Sequence, residues 1–205
     1  TKPMPMPMPM PGVIYLIDDT STCVIYLIDD ALPFGRCVIY LRFQPGRNHR
    51  RCRREATVVV VDDQDGVTLA NIVATTLKLD VGGDISQRAG SALAVNDVVE
   101  LYAAGFDVTL SELANDFGGD VIVSGKHVAL ADQNDISLLD INSDLLSVDA
   151  VGNVVDGDLG SLLVTGNANF VGAEIRLGDD VGNRSRFGSL TFNSSGAVSV
   201  TEDNH

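Results

Sequence analysis

Beyond residue 57 the chain alternates apolar and polar residues in short runs. Val108 and Leu110, Val121 and Val123, Val128 and Leu130, Ile136 and Leu138, Leu162 and Val164, Ile175 and Leu177, and Val198 and Val200 are all i, i+2 pairs. A period of two puts one set of side chains on one side of an extended strand. Between the runs stand Gly82-Gly83-Asp84, Gly118-Gly119-Asp120, Asn153, Gly166-Asn167 and Ser194-Ser195-Gly196. These residues tolerate the left-handed backbone of tight corners. The pattern predicts many short strands and no helix; even Ala92 to Ala104, the best helical candidate, also reads as two strands broken at Asn96-Asp97.

The strands recur. At an offset of 69 residues Leu77, Asp80, Gly83, Leu93 and Val95 fall on Leu146, Asp149, Gly152, Leu162 and Val164. At an offset of 70, Phe117-Gly118-Gly119 falls on Phe187-Gly188-Ser189, and Ser124, Val128 and Asn134 fall on Ser194, Val198 and Asn204. A long internal period marks a repeat protein, whose units bury their apolar edges by stacking on one another. Divided into coils of about 23 residues, each with three strands and three corners, the period predicts a parallel β-helix. Like residues then stack over like, with Phe117, Phe170, Phe187 and Phe192 in aromatic stacks. A β-sandwich is the alternative, but it does not explain a pattern recurring in register.

Composition separates this region from what precedes it. Residues 1–56 carry eight Lys or Arg and five Asp or Glu, whereas residues 57–205 carry six against 23. All three cysteines (Cys23, Cys37, Cys52) and all four methionines lie in the first segment. We therefore expect a repetitive, low-complexity and poorly ordered segment at 1–56 and a β-solenoid at 57–205. The first segment opens with Pro-Met pairs, and Val13 to Asp19 recurs unaltered at Val24 to Asp30. Three readings compete for it: a mis-assigned reading frame, an apolar hairpin capping the first coil, and an isolated β-prone peptide. The cysteine spacing indicates neither a zinc site nor a redox pair. The basic run Arg47 to Arg54 lacks interleaved aromatics and precedes a strongly acidic chain, so no nucleic-acid partner is expected.

Candidate chemistry in the repeats is sparse. Asp107, Asp116, Asp132, Asp135, Asp179 and Asp180 are plentiful as carboxylates, but Asp at corners is ordinary turn chemistry. The bases Lys78, Arg88, Lys126, Arg176, Arg184 and Arg186 share no recurring phase, and His127 and His205 lack a nucleophile motif. No catalytic, cofactor-binding or metal residue is assigned, and no cofactor is expected. A calcium-binding β-roll is considered because of Asp62-Asp63 and Asp179-Asp180, but Gly82-Gly83-Asp84-Ile85 and Gly118-Gly119-Asp120-Val121 are only truncated starts of its nonapeptide.

The phrases Gly83-Asp84-Ile85-Ser86-Gln87, Ala103-Ala104-Gly105-Phe106-Asp107-Val108-Thr109-Leu110, Asn115-Asp116-Phe117-Gly118-Gly119-Asp120-Val121 and Phe187-Gly188-Ser189-Leu190-Thr191-Phe192-Asn193-Ser194 resemble the repeats of filamentous-haemagglutinin-like adhesins. The resemblance covers residues 57–205 and implies a right-handed parallel β-helix shaft of a bacterial surface or secreted protein. It further implies an extracellular or cell-surface location and partners among host-cell, matrix or polysaccharide surfaces. Nothing in residues 1–56 fits the family, and neither its secretion domain nor a carboxy-terminal barrel is recognisable. The chain is accordingly expected to be a segment of a longer protein, stacked on neighbouring repeats, without catalysis and without a membrane span. The alternative function is a polysaccharide-binding or polysaccharide-cleaving β-helix.

Overall fold

A computed structural model describes the strands Tyr15–Asp19, Thr22–Tyr26 and Val38–Leu41, and then residues 55–63, 66–179 and 182–203. The strands from Glu55 onward pair with one another in parallel throughout, and the chain winds as a β-solenoid of three faces and about six turns. The Ala92–Ala104 segment forms two strands, Leu93–Val95 and Val99–Ala103. The break falls at Asn96-Asp97, whose amides bond the carbonyls of Ala74 and Thr75 one coil below at 3.1 and 2.8 Å.

Each face contributes inward columns one residue wide. On the first face Val67, Ile85, Val108, Val128, Leu146, Ala168 and Leu190 are successive register partners. On the second, Ala74 lies under Val95 and Val95 under Phe117, and further along Ile136, Val154, Ile175 and Val198 form one column. On the third, Leu79, Leu101, Val123, Ile141 and Leu162 are stacked. All five are essentially inaccessible, as are Leu93 and Val95. Apolar burial of this kind stabilises by about 25 cal/mol per Å², and the parallel ladders hold each column in line.

The coils are shorter and less even than the predicted 23 residues. Val121 stacks on Leu138 after only 17, whereas Ile85 stacks on Val108 after 23. The sequence period therefore does not correspond to three whole coils. Val95 lies on the second face; three coils on, that face is occupied by Val154, and the counterpart Val164 lies on the third face beyond it. Leu77 and Leu146 are likewise displaced, from the third face to the first. One copy maps onto the next by three coils and one additional face. The three faces present the same inward i, i+2 pattern, so a duplication that advances by one face still buries its apolar residues.

The aromatic expectation holds in part. Phe170 and Phe187 meet edge to face, with centroids 5.7 Å apart and rings at 73°. Phe192 is the register partner of Phe170 but is half exposed in the last described coil, and Phe117 packs on another face. In the first segment, Tyr15–Asp19 and Thr22–Tyr26 run antiparallel with Tyr15 opposite Tyr26, and Val38–Leu41 joins Thr22–Tyr26 to Glu55–Asp63. These strands thus continue the edge of the first coil. The Pro-Met run, Cys37, Cys52 and the basic run Arg47 to Arg54 with His49 lie outside the described residues.

Candidate functional site: an acid–amide cleft at a coil corner

At a corner beside the second face, three successive coils form a cleft of about 570 Å³, lined in part by Asp116, Gly119, Gln133, Asn134, Asp135 and Gly152. Close approach of successive corners requires glycine. A Cβ on Gly119 would lie 1.8 Å from the Asp97 carbonyl oxygen, and one on Gly152 would lie 2.1 Å from Asp135 Oδ1. The side chains at the mouth are then fixed by one another. Gln133 Nε2 donates to Asp116 Oδ2 at 3.0 Å, Asn134 Nδ2 donates to Asp116 Oδ1 at 3.3 Å, and Asn153 N donates to Asp135 Oδ1 at 2.7 Å.

Beneath the mouth lies Asp132, fully buried. Its Oδ2 accepts from Phe117 N and its Oδ1 from Asn134 N, each at 2.7 Å. Burial raises its carboxyl to about 6, the two N–H donors oppose the rise, and the neighbouring Asp116 and Asp135 add to it. The same device recurs 70 residues on, where Glu202 Oε1 accepts from Phe187 N at 2.9 Å. A second buried polar group, Asn115, is satisfied on both ends of its amide. Its Oδ1 accepts from Leu93 N at 3.0 Å and Gln87 Nε2 at 2.7 Å, while its Nδ2 donates to Leu110 O at 3.1 Å.

The structure brings Asp116, Asp132 and Asp135 together and leaves the remaining carboxylates apart. Asp107 Oδ1 meets His127 Nδ1 at 3.0 Å, and Asp179 Oδ2 lies 3.8 Å from Arg176 Nη1. Asp180 and His205 fall outside the described residues. The bases remain dispersed: Lys78 pairs with Glu100 below the Tyr102 ring, and Lys126 borders a separate cleft beside Ser124 and Asn142. The aspartates of the two truncated Gly-Gly-Asp motifs act as acceptors between coils, Asp84 Oδ1 for Asp107 N and Asp120 Oδ1 for Ser137 Oγ. The side chains of Asp62-Asp63 lie outside the described residues, and among the described residues no three His, Cys, Asp or Glu side chains are grouped as metal ligands.

In chemical terms the cleft offers anionic and amide oxygens and amide N–H groups, with no cation in its lining. Such a surface suits hydroxyl-rich or cationic ligands and repels polyanions. Acid catalysis at Asp132 is unfavourable, because both its oxygens are committed to backbone donors beneath the surface. Asn115, Asp132 and Asp156 were missed as interior residues, although the alternation carried a signal. Asp132 follows Val128 and Leu130 in the inward phase, and Asp156 follows Val154.

Fold and columns together define a β-solenoid repeat protein. Residues 56–124 match the model of a family described as repeats of unknown function (DUF5649), so the first coils are similar to those repeats. Comparisons with curated proteins and with solved structures gave no match.

Proposed function

We propose that the chain is a non-catalytic shaft segment of a bacterial surface or secreted adhesin, which presents its corners to matrix or polysaccharide surfaces. The observation that carries this reading is the corner cleft, where an acid–amide mouth is turned outward while its one near-neutral acid is consumed by the backbone beneath. Amides and carboxylates held by mutual hydrogen bonds pair readily with sugar hydroxyls at little conformational cost. A single shallow site of this kind binds weakly, and stacked repeats strengthen it through multivalency. The excess of acidic residues steers the segment away from polyanionic surfaces and towards neutral or basic ones.

The test is binding of the full chain to immobilised neutral glycans, polyanionic glycans and matrix proteins, with the double variant Asp116→Ala/Asn134→Ala alongside. The reading predicts retention on neutral glycans or matrix proteins that the double variant lowers at least about fivefold, about 1 kcal/mol. Equal retention of both proteins, or release of reducing ends from a polysaccharide by the unaltered chain, would overturn it.

A further inference from the structure

The stacked columns are mostly apolar, and one of them places a carboxyl between leucines. Val59, Leu77, Val99, Val121 and Leu138 are successive partners, and the next position in that column is Asp156. The registers Val154 to Ile175 and Val155 to Arg176 carry Asp156 to Leu177 in the following coil. A carboxyl thus stands between two leucines that are wholly buried, and is itself only 7% exposed.

Its two oxygens are treated unequally. Oδ2 accepts from Gly178 N at 2.7 Å and from Asn183 Nδ2 at 2.8 Å, tying Gly178 and Asn183 to the coil below. Among the described residues the buried Oδ1 has no hydrogen-bond partner. This arrangement fits a neutral carboxylic acid, which has one good acceptor oxygen and carries its proton on the other. An ionised carboxylate would carry its charge in a buried site where Oδ1 has no hydrogen-bond partner among the described residues, at a cost in desolvation. The charged groups around it favour the same state. Asp179 faces it from the corner above, with Arg176 turned to Asp179 at 3.8 Å. Asp158 follows two residues later on its own strand, and from two coils below Asp120 approaches the neighbouring Gly157 while accepting from Ser137. Among the described residues no cation contacts Asp156.

We propose that Asp156 is a pH-operated fastener between consecutive coils, closing the corner at Gly178 while its carboxyl is protonated and releasing it when ionised. The inference is independent of any adhesive role. Burial holds the carboxyl above its ordinary 3.8, against the pull of the Gly178 N–H, its own backbone N–H and the Asn183 amide, and Asp179 reinforces the rise. The sign follows from the raised folded value. The stabilisation is complete below the ordinary carboxylate range and is lost as pH rises through the folded pKa.

The experiment is amide hydrogen exchange of the full chain between about pH 4 and about pH 8, corrected for the intrinsic rate, with Leu101 as internal reference. Protection at Gly178 relative to Leu101 should fall about tenfold for each pH unit by which the folded pKa exceeds the ordinary one, then level off. In Asp156→Asn, which keeps an acceptor oxygen and never ionises, Gly178 should remain protected with a flat pH profile. Asp156→Leu completes the aliphatic column but removes the acceptor. It should expose Gly178 at every pH while Leu101 stays protected. A carbon-detected titration of the Asp156 carboxyl gives a further readout, with a midpoint above the ordinary range expected. A midpoint at or below that range, or a Gly178 profile that tracks Leu101 in the unaltered chain, would overturn the proposal.

Discussion

Leu101→Ala probes the columns at their most enclosed. Leu101 is wholly buried, with Leu79 its partner in the coil below and Val123 its partner in the coil above. Truncation removes its transfer free energy and leaves a cavity, which in protein cores together cost about 2–5 kcal/mol. Here the neighbours cannot close the gap freely, because each is held to its own coil by backbone ladders on both sides. The loss should therefore fall in the upper half of that range, about 3–4 kcal/mol. For a chain of this size that lowers Tm by about 10 °C, at roughly 2–4 °C per kcal/mol. Urea unfolding followed by circular dichroism measures the loss, and hydrogen exchange locates it in the coils of Leu79 and Val123. The control is Val151→Ala, 65% exposed at the rim of the cleft, which should change stability by no more than about 0.5 kcal/mol. A Leu101→Ala loss below about 1 kcal/mol, or one equal to the control, would refute the assignment of this position to a stacked interior.

Gly119→Ala should cost at least about 2 kcal/mol, since its Cβ would lie 1.8 Å from the Asp97 carbonyl oxygen and only backbone movement relieves the clash. Chemical denaturation would read this directly, and a neutral outcome would mean that the corner is looser than described. For Asp132, a folded value of about 6 against the ordinary 3.8 corresponds to about 3 kcal/mol. That stability should be present below about pH 4 and disappear as pH rises through about 6. The difference between the urea profiles of the unaltered chain and Asp132→Asn isolates this group from general acidic repulsion, and parallel profiles would contradict it.

Much of the architecture was legible because each inward residue must recur two positions later. Leu93 and Val95 show this within a three-residue strand, and the break at Asn96-Asp97 shows where it stops. The identical heptads of the first segment were also visible, but not that Tyr15 would stand opposite Tyr26 in an antiparallel pair. Coil length was hidden, because parallel pairing joins residues 17 to 23 apart and corners absorb the difference without disturbing the alternation. For the same reason the displacement of Leu146 by one face could not be foreseen from its match to Leu77. The cleft was half visible. Asp116 and Asp135 stood among the candidates, but their meeting depends on Gln133 and Asn134 in the next coil and on glycines that let two backbones approach. Asp132 and Asp156 resembled turn residues by type, while their phase placed them inside.

Through-space NMR contacts between backbone protons of the third-face strands report whether successive coils lie parallel with like positions stacked. Parallel stacking gives contacts from Leu101 to Leu79 and to Val123, repeated in the same direction from Lys78 to Glu100 and on to Ile122. Contacts whose residue numbers rise in one strand and fall in its neighbour, as antiparallel sandwich pairing requires, would contradict it.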